Sequence, residues 1–153
     1  MSRWPMGEAD IERLISARPP GLQPVRGGQA NGEHLMEKAV RTLATTTAIS
    51  TDDPDSAFVL AYDASRYAAT ALLAQQGLRP TTSGGHYAVE IALRAQFGSG
   101  FRSFGALRRR RNELEYPNGP GETTTVDEAL QGIEDARGIV DAARQLLPTL
   151  GLF

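Results

Sequence analysis

Apolar residues recur along this chain three and four positions apart, and no stretch shows the sustained alternation of a strand. The spacing predicts six helices. A short amphipathic stretch, Glu8 to Ala17, places Ile11, Leu14 and Ile15 on one side and stops before Pro19 and Pro20. Residues 18–31 then hold three prolines and three glycines in 14 positions, the composition of an irregular tether. The first helix therefore reads as an arm rather than core, packing back onto the bundle or onto a second subunit. Trp4 and Met6 belong to the same arm.

A second helix is predicted from Gly32 to about Ile49, capped by Asn31 and carrying Leu35, Ala39, Val40 and Leu43 inward. The run Thr45 to Thr47 is a poor helix interior, so fraying is expected there. Asp53 followed by Pro54 is an acidic cap with proline in the first turn, a strong start signal. From Phe58 to Leu73 a stripe rich in alanine follows, and Gly77 is placed to end that helix. A fourth helix, Tyr87 to Phe97, turns Ala88, Ile91, Ala92 and Ala95 inward, and a fifth runs from about Phe101 to Tyr116. Thr125 and Glu128 form a reciprocal capping box before a sixth helix that Pro148 closes.

Short links between amphipathic helices favour antiparallel neighbours. The predicted fold is all-α, an up-and-down antiparallel bundle of four to five helices over residues 32–150, with residues 1–31 as arm and tether. The expected core includes Phe58, Ala61, Leu72, Ile91, Leu107, Leu130, Ile133 and Val140.

Composition narrows the chemistry. The chain has 153 residues and no cysteine, which excludes disulfides, thiolate metal sites and a cysteine nucleophile. Its two histidines, His34 and His86, are too far apart in sequence to suggest a His-rich metal site, so no metal or cofactor is expected. The segment Met1 to Asp10 lacks the apolar core of a secretory leader, and the longest uncharged run of the central helix falls well short of a membrane span. A cytoplasmic protein is expected. The net charge of −2 conceals a segregation: residues 1–112 are net basic and residues 113–153 net acidic.

The fifth helix carries the candidate chemistry, Arg108-Arg109-Arg110-Arg111-Asn112-Glu113-Leu114-Glu115-Tyr116. Successive residues turn about 100° around the axis, which puts Arg111 about 40° from Leu107, inside the apolar stripe. Such an arginine needs a partner or an opening to water. Either it pairs with Glu115 or an acid of the last helix, or it lines a functional groove or a dimer seam. Arg108, Arg109 and Arg110 read as a solvated face able to attract phosphates. His86, after Gly84 and Gly85, reads as a turn or interhelix hydrogen-bonding residue, with a ligand-site role as the alternative. His34 reads as surface.

The stretch Ala61-Tyr62-Asp63-Ala64-Ser65-Arg66 through Ala71-Leu72-Leu73 resembles HEPN domains. So do Gly77-Leu78-Arg79-Pro80, Gly84-Gly85-His86 and Arg110-Arg111-Asn112-Glu113-Leu114-Glu115-Tyr116-Pro117. These helical domains are common in bacterial toxin–antitoxin and defence systems, and the nearest likeness is to small stand-alone actinobacterial members. The resemblance spans roughly residues 35–147. Many HEPN proteins are metal-independent ribonucleases with an arginine, a polar residue, and a histidine four to six intervening residues later, two copies meeting across a dimer. Arg111 and Asn112 match the opening of that motif, and Tyr116 stands where the histidine would be. The resemblance therefore implies a homodimer with a weak or silent site at Arg111, Asn112 and Tyr116, which binds RNA, a nucleotide or an operon-encoded partner. A metal-independent ribonuclease is the alternative.

Overall fold

The computed structural model describes residues 6–153. Trp4 lies outside them. The chain forms α1 (Glu8–Ser16), β1 (Leu22–Pro24), α2 (Glu33–Ile49), α3 (Pro54–Gln75), β2 (Leu78–Pro80), α4 (Gly85–Phe97), α5 (Ser103–Glu115) and α6 (Val126–Leu146). Short 3₁₀ turns occur at Gly27–Gln29, Gly98–Phe101 and Leu147–Thr149. It is an all-α bundle with a minor two-stranded sheet.

α3 is the axis of the bundle because its sequence permits burial on nearly every side. Ala57, Ala61, Ala64, Ala68, Ala69, Ala71 and Ala74 let neighbours approach closely, while Phe58, Tyr62, Leu72 and Leu73 supply bulk. α2 and α6 pack most extensively on it, and α5 and α4 cover the rest. The start of α3 follows the sequence signal: Asp53 Oδ1 accepts from the Ser56 amide, with Pro54 in the first turn. Gly77 adopts φ 78°, reversing the chain into β2.

The arm belongs to the core. Ile11 and Leu22 are fully buried in the same apolar cluster as Leu72, Leu93 and Ile133. Its anchor is backbone pairing: Leu22, Gln23 and Pro24 lie antiparallel to Pro80, Arg79 and Leu78. The Thr81 hydroxyl donates to the Pro20 carbonyl at 2.6 Å, and the Gly21 amide to Leu14 at 2.9 Å. Three-residue strands carry too little alternation to be seen in the sequence.

Five further expectations are corrected. α2 does not fray at its threonines, since the Thr45 and Thr47 hydroxyls donate one turn back and buried Thr46 donates to the Ala57 carbonyl of α3. Leu130 is 44% exposed. The buried stripe of α6 centres on Ala136, from which Leu130 is turned about 120°. Val40 is also exposed, and Ile91 is only half-buried, because α4 presents Val89, Leu93 and Gln96 inward instead. Asn31 is not the cap residue of α2: Gly32 is, although the Asn31 side chain still accepts from the Glu33 amide at 2.9 Å.

Candidate functional site

The four arginines of α5 fan around the helix into different surroundings. Arg108 Nε donates to Glu90 Oε2 of α4 at 2.8 Å, and its guanidinium lies over the Tyr87 ring. Arg109, more exposed, is 3.8 Å from the other Glu90 oxygen. Arg110 is held by Glu113, Glu122 and Glu128 at 2.8, 3.1 and 2.6 Å and by the Thr123 carbonyl. Its hydrogen bonds to Glu128 and Glu113 raise its pKa further. Glu128 is thereby drawn away from the reciprocal half of the capping box, while Thr125 still accepts from the Glu128 amide. Arg108 and Arg110 thus tie α5 to α4 and to the start of α6, where the sequence suggested an open phosphate-attracting face.

Arg111 is the exception. Among the described residues no carboxylate lies within ion-pair distance of it: neither Glu115 nor any acid of α6 pairs with it. Its Nε is closed off from solvent without a partner, and one terminal nitrogen reaches Asn112 Oδ1 at 3.4 Å. The guanidinium carbon stands 5.7 Å from the centre of the Tyr62 ring, within cation–π range.

Tyr62 places this arginine in a larger group. Its ring is 1% exposed, and its hydroxyl is 3.4 Å from His86 Nδ1 at the start of α4. Arg66, one turn along α3, resembles Arg111: its Nε is buried and unpartnered, and among the described residues it makes no ion pair. Asp63 completes the set from α3. Burial holds the Tyr62 hydroxyl protonated, raising its pKa despite Arg66 and Arg111. Burial likewise raises the Asp63 carboxyl above its usual range, against the pull of the same two arginines. His86 is shifted down, first by burial and then by Arg66 and Arg111, so the imidazole is neutral at pH 7.

Chemically, the junction of α3, α4 and α5 brings together two guanidinium groups suited to an oxyanion, a buried phenol, and a neutral imidazole able to accept a proton. Tyr116 stands apart, 72% exposed at the end of α5. The histidine that shares Arg111's surroundings is His86. His34 is exposed. Among the described residues no cluster of three histidine or acidic side chains forms a metal site, and no helix is long and apolar enough to cross a membrane.

Sequence reasoning singled out Arg111 and His86 but passed over Tyr62, Asp63, Arg66 and Thr70 as chemistry. The signal was present: Tyr62, Arg66 and Thr70 follow at four-residue intervals along an otherwise alanine-rich helix, which makes one polar row. No protein-family model, curated protein or solved structure matches this chain.

Proposed function

We propose that this chain is a HEPN-like module that works as a homodimer in the cytoplasm and binds RNA or a nucleotide, with weak or no catalysis, in a bacterial toxin–antitoxin or defence setting. The observation that carries the reading is Arg111: a guanidinium held over Tyr62 beside Arg66, with no carboxylate within ion-pair distance. Left without an ion pair, such cations attract phosphate oxygens. The absence of histidine from α5 favours binding over cleavage.

The test is anisotropy of a short single-stranded RNA at two salt concentrations. Affinity should fall steeply with salt. Arg111→Met should weaken binding about tenfold or more, the cost of one lost charge-assisted hydrogen bond, with an unchanged circular dichroism spectrum. Equal binding by the variant would remove Arg111 from the site, and no RNA binding by the wild type would favour a partner protein.

One observation favours a ribonuclease instead. His86 brings a neutral imidazole next to Tyr62 and Arg111, the group that α5 lacks. Cleavage resistant to EDTA and lost in His86→Ala would establish that reading.

A further inference from the structure

Beside this junction, where α3, β2 and the start of α4 meet, the surface opens into a cavity of about 340 Å³. Arg66, Thr70, Thr81, Thr82, Gly85 and His86 line it, and none of its lining residues is acidic. Arg111 is not among them.

Two of the lining side chains carry polar atoms without hydrogen-bond partners. Arg66 lies over the Tyr67 ring, 4.8 Å from its centre, but makes no hydrogen bond or ion pair among the described residues, and its Nε is closed off from solvent. The Thr70 hydroxyl is buried and also unpaired. That is unusual in this chain. The hydroxyls of Ser16, Thr45, Thr47 and Ser65 each donate to the carbonyl one turn back in their helices, an acceptor open to any helical serine or threonine. Thr70 forgoes that bond.

The start of α4 adds donors of a third kind. Gly84 enters the helix at φ 93° and offers no side-chain cap. The first-turn amides of a helix lack intrahelical acceptors and carry the positive end of its dipole. His86 contributes as well: when the Tyr62 hydroxyl donates to Nδ1, the ring's remaining proton sits on Nε2, a donor. The collection is cationic and donor-rich, with threonine oxygens as its acceptors.

Size and lining decide the ligand class. The volume lies near the small end of ligand pockets, about 300–1,000 Å³, and exceeds what a lone anion fills. No phenyl, phenol or indole ring lines it, and its one flat ring, the His86 imidazole, is tied to the Tyr62 hydroxyl, which leaves no extended platform on which a nucleobase would stack. We infer that this cavity binds a phosphate monoester carried on a sugar-like group, the phosphate held by Arg66, Thr70 and the start of α4 and the hydroxylated part set against Thr81 and Thr82. The inference goes beyond the RNA reading: the cavity shares Arg66 and His86 with that site but not Arg111.

The test is a titration of the full chain, followed by amide NMR, with ribose 5-phosphate and in parallel with inorganic phosphate and ribose alone. Ribose 5-phosphate should shift the amides of Gly85, His86 and Tyr87 and bind about tenfold tighter than inorganic phosphate, while ribose alone leaves the spectrum unchanged. Arg66→Met should weaken binding about tenfold or more, the loss of a charge-assisted contact. Thr70→Val, which keeps the side-chain shape and α3, should weaken it severalfold. Arg111→Met should leave it unchanged even where RNA binding is lost. Equal affinity for inorganic phosphate would reduce the site to a helix end that attracts any anion and would overturn the proposal. So would full binding by folded Arg66→Met and Thr70→Val variants, or loss of binding in Arg111→Met.

Discussion

Gly105 tests whether the spacing of α4 and α5, which sets His86 against Arg111, is fixed by a buried carboxylate. A Cβ added there would fall on Glu90 Oε1, 3.0 Å from its Cδ and 3.2 Å from Arg109 Nη1. Inside a helix, alanine is favoured over glycine by about 1 kcal/mol, so propensity alone predicts stabilisation. Against that, Glu90 is 5% exposed and must swing away from the bond it accepts from Arg108. A charge-assisted hydrogen bond of that kind contributes about 1.5–3 kcal/mol. Its other partners, Arg94 and Arg109, are well exposed and add little. The clash wins by about 0.5–2 kcal/mol once propensity is subtracted. For a domain of this length Gly105→Ala should lower Tm by about 1–8 °C, read by far-UV circular dichroism. In a Glu90→Ala background the obstacle is gone, and the same substitution should become neutral or stabilising. A higher Tm for Gly105→Ala in the wild-type background would refute the reasoning.

Two further outcomes rest on burial. Ile133, 2% exposed, should cost about 2–5 kcal/mol on truncation to alanine, whereas Leu130→Ala on the same helix should cost under about 1 kcal/mol by chemical denaturation. Asp63 should report the electrostatics around Arg66 and Arg111. Its folded carboxyl is raised above 3.8, so the folded chain holds the proton more tightly than the unfolded one. Stability from this group is therefore present below pH 3.8 and is lost as pH rises through the folded value. Asp63→Asn should accordingly raise Tm at pH 7, with the gain vanishing in acid; a lower Tm at pH 7 would mean that the carboxylate pairs with Arg66 or Arg111.

What was legible in the sequence was local. Asp53 before Pro54, Thr125 before Glu128 and Gly77 after α3 act within one turn of the chain, and the structure uses each at a helix boundary. What escaped was decided across long separations. Leu22 is buried because residues 22–24 pair with residues 78–80, some 56 positions away, and neither strand is long enough to alternate. Glu90 is buried on α4 because Arg108, 18 residues later, supplies its counter-charge. The site divides in the same way. Helical geometry set Arg111 apart from its neighbours, but only folding brings His86 to Tyr62 and leaves Arg66 beside them.

The contrast within α5 bears on why Arg111 is left without an ion pair. Arg108 and Arg110 show what the fold does with an arginine needed for structure: it surrounds the guanidinium with carboxylates, one of them buried. Glu115, four residues beyond Arg111, is well placed in sequence for the same service and does not provide it. Closing a guanidinium nitrogen off from water without a hydrogen bond or an ion pair opposes folding, and Arg66 and Arg111 each do so. Destabilising groups gathered at one place mark a functional site more reliably than charge alone. Arg111→Met, which fills similar space without the charge, should therefore leave Tm unchanged or raise it while RNA affinity falls. Loss of both together would make Arg111 a structural residue, and the junction would lose its claim to be a binding site.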